Sequence, residues 1–104
     1  PVQVEISGDR PPAEHLSLAA FYVVSEAFTN VVKHSGATRA AVRLTLEDPL
    51  QVEVYDDGHG GAVVRPGHGL SGLIERTHAV GGGCWISSPP GGPTLLRATF
   101  PNSR

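Results

Sequence analysis

Within 104 residues the apolar pattern of this chain switches from a period of two to a helical period and back, more than once, and few folds satisfy that order. Val2, Val4 and Ile6 alternate with Gln3 and Glu5, the pattern of a half-buried strand, which ends at Gly8-Asp9-Arg10-Pro11-Pro12. From Leu16 the apolar positions step by three and four through Ala19, Ala20, Val23, Val24, Ala27, Phe28 and Val31. That spacing predicts one face of a long helix, with Gly36 as its stop. Period two then returns in Val42, Leu44 and Leu46, against Arg43 and Thr45, and in Val52 and Val54, against Gln51 and Glu53. With Asp48-Pro49 between them these segments predict a hairpin. A shorter helix is expected over residues 70–79, stopped by Gly81-Gly82-Gly83, and strands over 84–87 and 95–100, joined by Pro89-Pro90-Gly91-Gly92-Pro93. Strands with one polar face need cover on the other. The expected fold is therefore α+β, a two-layer sandwich whose mixed, mainly antiparallel sheet carries helices on one face.

The length fits one domain able to bury its own core, and residues 1–104 are expected to form it. Cys84 is the only cysteine, which excludes an intrachain disulfide and favours a reducing, cytoplasmic setting. No apolar run approaches the roughly 20 residues that span a bilayer, so direct membrane contact by this domain is not expected. The net charge is -2 and the arginines are scattered, so no basic stripe marks a nucleic-acid partner. The chain opens Pro-Val-Gln-Val and contains no methionine, and it is expected to be a piece of a longer protein, itself free to be membrane-anchored.

Chemistry-bearing residues gather in two places. Glu26, Asn30 and Lys33 or His34 recur at helical spacing along the first helix. On spacing alone this is also what an ordinary solvated face looks like. As a site it would be a magnesium and phosphate edge. Asn30 would offer magnesium a neutral oxygen, Glu26 would orient or deprotonate a water or the attacking group, and Lys33 would meet a phosphate as a point charge. The second place is Asp56-Asp57-Gly58-His59-Gly60, which directly follows a strand and is an ordinary turn when taken alone. As a base pocket, Asp56 would accept a hydrogen bond from the exocyclic amine of adenine and disfavour guanine, which presents an oxygen there. Gly58 and Gly60 would let the backbone approach the base. Asp57 points the other way on strand geometry. Gly67-His68-Gly69-Leu70 opens the second helix, where free backbone N–H groups suit an anion. Neither a P-loop nor a dinucleotide-binding glycine pattern is present.

Glu26-Ala-Phe-Thr-Asn30-Val-Val-Lys33-His34-Ser-Gly-Ala-Thr38, then Asp56-Asp57-Gly58-His59-Gly60, then Gly67-His68-Gly69-Leu70-Ser-Gly-Leu-Ile-Glu-Arg76 resembles the catalytic ATP-binding (GHKL, Bergerat-fold) domain of two-component sensor histidine kinases. The match is best to the nitrate-sensor-like, NarL-type branch, and it covers nearly the whole chain. The resemblance implies ATP and Mg2+ as cofactors. It implies that Asn30 coordinates magnesium, that Glu26 assists catalysis, and that Asp56, with Thr94 of the last strand, holds adenine. The glycine boxes become Gly58 with Gly60 and Gly67 with Gly69. Lys33, His34, His68 and Leu70 fall inside these motifs and are carried into the binding site with them. Pro93, where a glycine normally precedes the threonine, and Gly61, where a bulky apolar residue is usual, depart from the pattern.

Kinases of this family carry the phosphorylated histidine on a separate helical dimerisation domain, and nothing here resembles it. His15 precedes the first predicted helix, and His59, His68 and His78 lie in or after the glycine loops. The implied partners are ATP, the protein's own phosphoacceptor domain and a response regulator, and the isolated domain is not expected to phosphorylate itself. Two alternatives stay open: a serine kinase of the anti-sigma-factor type, and a degenerate interaction module that binds no nucleotide.

Overall fold

The computed structural model of the chain describes residues 2–29, 36–58 and 69–102. Their elements run β1 (Val2–Gly8), α1 (Glu14–Ala27), β2 (Ala40–Leu46), β3 (Leu50–Asp56), α2 (Gly69–Ala79), β4 (Gly83–Ser87) and β5 (Thr94–Phe100). The strands form one sheet in the order β1-β2-β3-β5-β4. β1 and β2, separated in sequence by α1, pair in parallel, whereas the β2–β3, β3–β5 and β5–β4 pairs are antiparallel. The mixed, mainly antiparallel sandwich expected from the periodicity is thus the observed one.

The core lies between the helices and one face of the central strands. Val52 and Val54 of β3 and Leu96, Ala98 and Phe100 of β5 are buried there against Leu16, Val23 and Ala27 of α1 and Leu73 of α2. Fully burying an aliphatic or aromatic side chain of this size contributes about 1.5–3 kcal/mol. On the opposite face the cross-strand row Glu5, Arg43, Glu53 and Arg97 alternates in charge over four strands and is linked by ion pairs of 3.2–3.7 Å. Exposed pairs of this kind add little stability, but they keep that face wet.

β1 departs from its expected half-burial. Its register, Val4 against Val42, turns Val2, Val4 and Ile6 toward the helix side, yet they are 54%, 64% and 60% exposed. The helices pack over β3, β5 and β4 and stop short of the sheet edge. A groove of about 500 Å³ therefore remains between β1 and α1, lined by residues such as Val2, Val4, Phe21, Val24 and Phe28.

α1 begins before Leu16, so His15 sits in its first turn rather than ahead of the helix. Pro11 and Pro12 keep the chain extended up to Ala13, whose carbonyl accepts from Leu16 N and Ser17 N, and Glu14 favours the positive end of the helix dipole. Regular α-helix ends at Ala27, and residues 28–29 continue as a wider π-type turn. The predicted continuation through Val31 falls outside the described residues. Gly36, the expected stop, has a positive φ of 73°.

α2 ends as its glycines require. Gly81 N donates to His78 O and Gly82 N to Thr77 O, with Gly81 at φ 81°, which makes a Schellman cap. At the sheet end where β1 stops, Asn102 gathers three segments. Its Nδ2 donates to Arg10 O at 3.3 Å and to Glu47 O at 3.0 Å, and its backbone N donates to Asp48 Oδ1. Asn102→Ala strands both carbonyls at a buried position and is expected to cost about 1–3 kcal/mol. Urea unfolding checks this, and an unchanged midpoint would show that water replaces the side chain without loss.

Candidate nucleotide site

β3 is the central strand, and its last residue, Asp56, is 1% exposed. Its register partners are Ala40 on β2 and Thr94 on β5, both small and both buried, so the carboxylate ends the strand between two short side chains. Gly58 N donates to Asp56 Oδ1 at 2.8 Å. One oxygen thereby holds the turn. A carboxylate has acceptor capacity for several donors, and an exocyclic amine on a flat heterocycle is one such donor, so the residues present fit a purine bearing an amine.

Thr94 stands beside this group. It is 1% exposed, and its hydroxyl lies 2.6 Å from Ser88 Oγ. Ser88 belongs to no sequence motif singled out above. The signal that could have found it is its place just past a strand end, across a tight Pro- and Gly-rich turn from Thr94.

Asp57 does different work. Its Oδ1 accepts from Thr38 N and Arg39 N and its Oδ2 from Thr38 Oγ1, all at 2.8–2.9 Å, and its own N–H donates to Arg39 O. These bonds fasten the segment that leads into β2 to the end of β3. They lower the Asp57 pKa below its ordinary 3.8, with the Arg39 backbone N–H as the largest cause and the Thr38 hydroxyl next. A carboxylate whose folded-state pKa is depressed stabilises the fold above its unfolded pKa, and that contribution is lost as pH falls through the folded value. The stability gap between wild type and Asp57→Ala, from urea unfolding, is therefore expected to be present at pH 7 and to shrink below about pH 3.8. A gap that stays constant across that range would mean the ionised form has no special role.

α1 and α2 meet near their facing ends. The Arg76 guanidinium lies 4.3 Å from the centre of the Tyr22 ring, and Gly72 offers its bare Cα toward the Tyr22 hydroxyl. Glu26, one turn beyond Tyr22, is half-buried and engaged in an interaction of its own. Gly69 and Leu70 form the start of α2, whose first turn carries no acidic residue to oppose an anion. Asn30, Lys33, His34, Gly60, Gly67 and His68 lie outside the described residues. The structure thus brings together Asp56, Gly58 and Thr94. Among the described residues no group of three or more His, Cys, Asp or Glu gathers as a metal site. Burial pushes the Cys84 thiol up to about 11, which leaves it protonated and unsuited to nucleophilic work.

The model of the histidine kinase-, DNA gyrase B- and HSP90-like ATPases matches residues 15–104. The chain belongs to that family. Its ligand class is accordingly ATP, and curated relatives to which it is similar are named sensor histidine kinases. It is 36% identical over 78 residues to the sensor histidine kinase YvfT of Bacillus subtilis, which covers 73% of this chain and 20% of that protein. It is 39% identical over 89 residues to the sensor histidine kinase NarS of Mycobacterium tuberculosis, covering 78% of this chain and 21% of the relative. The chain therefore spans about a fifth of the length of these relatives. Among solved structures, the blue-light activated histidine kinase EL346 of Erythrobacter litoralis superposes with a TM-score of 0.75 at 18% identity, over 99% of this chain and 38% of that one. AdeS of Acinetobacter baumannii gives 0.68 at 13% identity, over 99% and 55%. At these identities the two structures bear on the fold alone, and they share it. No helix among the described residues is long and apolar enough to cross a membrane.

Proposed function

We propose that this chain is the ATP-binding catalytic domain of a sensor histidine kinase, and that it transfers the γ-phosphoryl group of ATP to a histidine on a helical domain elsewhere in its own protein. The observation that carries this is the Asp56 carboxylate, buried at the end of the central strand beside Thr94, with one oxygen fixed by Gly58 N. Adenine would present an amine to the carboxylate's other oxygen, whereas guanine presents an oxygen and would set two acceptors face to face. Thr94 completes the base site. Gly60, Gly67, His68, Gly69 and Leu70 lead the chain from the base to the start of α2, where backbone N–H groups receive phosphate.

Glu26 occupies the last turn of α1, and the chain runs on from there to Asn30. Asn30 is the residue that would hold Mg2+, which would supply charge neutralisation for the phosphates. Lys33 and His34, in the same stretch of sequence, would meet phosphate. In the transfer, an imidazole nitrogen of the acceptor attacks the γ-phosphorus and the bond to the β–γ bridging oxygen breaks. ADP departs with that electron pair, and Glu26 takes the proton that the imidazole releases. A response regulator then receives the phosphoryl group, and the parent protein's anchoring is a property of segments outside this domain.

Titration calorimetry with Mg-ATP and Mg-GTP tests the base assignment. Binding of ATP with GTP at least ten-fold weaker is the expected result, and equal affinity for the two would overturn the role of Asp56.

A further inference from the structure

β1 stands at one end of the strand order, and among the described residues only β2 pairs with it. Its outer edge therefore presents a row of backbone N–H and C=O groups to whatever adjoins it. Proteins usually blunt such an edge with a short strand, a lysine, a proline or a bulge. The opposite edge, β4, is five residues long. β1 runs for seven, with neither lysine nor proline from Val2 to Gly8, and its one charge, Glu5, is 3.3 Å from Arg43 of β2. The same strand exposes Val2, Val4 and Ile6 on the helix side, beside a groove whose Phe21 is 71% exposed. An open edge and an open apolar face thus coincide on one strand.

The order of residues in β1 says what fits there. We propose that two copies of this domain pair through β1, antiparallel and edge to edge, about a two-fold axis between their Val4 residues. In that register Val4 faces Val4 of the second copy, Val2 faces its Ile6, and Gln3 faces its Glu5. The apolar side chains then meet on the helix side, and each groove gains the other copy's Val2, Val4 and Ile6 beside it. On the open face the Gln3 amide supplies a donor to the facing carboxylate, twice by symmetry, and the charge row Arg97, Glu53, Arg43, Glu5 continues to a hydrogen-bonding partner.

Neighbouring registers are worse. A slip of two residues one way sets Glu5 against Glu5, and the other way sets Gln3 against Gln3 and leaves Ile6 opposite nothing in β1. A slip of one residue brings valine opposite Gln3 or Glu5 and mixes the faces. One register alone matches apolar to apolar and acceptor to donor. A seven-residue strand pair falls at the small end of specific interfaces, below about 1,200 Å². The dimer is therefore reversible, half-formed at about 10–100 μM.

Sedimentation equilibrium of the chain over about 1 μM to 1 mM tests this, with Val4→Lys, Gln3→Lys and Gln3→Glu alongside wild type. Wild type is expected to pass from monomer to dimer across the range. Val4→Lys sets two ammonium groups against each other at the centre and should weaken the dimer at least 10-fold. Gln3→Lys gives the facing Glu5 a cation and should tighten it about 3- to 10-fold, whereas Gln3→Glu opposes two carboxylates and should loosen it by a similar factor. A wild type that stays monomeric at every concentration overturns the proposal and leaves the edge to a different partner. A dimer indifferent to Val4→Lys is formed elsewhere on the surface, and one that both Gln3 variants shift in the same direction lacks this register, so either result overturns it too. Thermal unfolding reports whether each variant folds. Should Val4→Lys fail to fold, the opposed Gln3 shifts, made at an exposed side chain, decide the matter.

Discussion

Replacing Asp56 by asparagine is expected to lower Mg-ATP affinity by about 10- to 100-fold while leaving the domain folded. Asparagine keeps a carbonyl oxygen for Gly58 N, so the turn after β3 retains its 2.8 Å bond. What changes is the other arm, where an NH2 donor replaces a charged acceptor and meets the adenine amine donor to donor. Hydrogen bonds to charged groups are worth about 1.5–3 kcal/mol, and each 1.4 kcal/mol is a factor of ten. Asp56→Ala should bind as poorly and also lose stability, because Gly58 N is then unpaired at a buried position. Calorimetry paired with thermal unfolding separates the two variants. An Asp56→Asn protein that binds ATP like wild type would remove the base-recognition role.

The largest effect on stability is expected from Phe100→Ala. Phe100 closes β5, is fully buried, and ends the helix-facing row Thr94, Leu96, Ala98, Phe100. A Cβ on Gly82 would meet the Thr99 carbonyl oxygen and crowd the Phe100 ring, so the α2–β4 turn is already closed against it. A cavity there cannot collapse easily, and the expected cost is about 3–5 kcal/mol. For a domain of this size each kcal/mol lowers Tm by about 4–8 °C, so a drop of about 12 °C or more should be seen in a thermal melt. Ile6→Ala removes a comparably apolar side chain from β1 and should cost about 1 kcal/mol or less, since Ile6 is 60% exposed. Equal losses at the two positions would mean that the groove beside β1 is closed in solution.

That contrast marks where local pattern stops being informative. Period two in Val2, Val4 and Ile6 correctly announces a strand and correctly assigns one face to the helix side. Whether the face is covered depends on how far α1 and α2 reach across the sheet. The helix start shows the same limit at smaller scale: apolar stepping begins at Leu16, but the first turn, with His15, is set by where Pro12 releases the chain. In the site, Asp56 and Thr94 were reached through motif resemblance, and their adjacency comes from strand register, since 38 positions separate them in sequence and a single β3–β5 pairing joins them. Ser88 was not legible at all. A serine before two prolines has no signature, and its meaning arises only when the turn folds its hydroxyl onto Thr94.

The sequence by itself determined the element order, the two-layer α+β class, the family and the identity of the carboxylate at the end of the central strand. These follow from periodicity, turn residues and motif order, all of which are local. The tertiary structure alone decided three other matters: that Gly58 N holds Asp56, that the outward-pointing Asp57 fastens Thr38 and Arg39, and that β1 stays uncovered. Each depends on the distance between groups far apart in the chain, and hydrogen bonds and apolar contacts have energies only at those short distances.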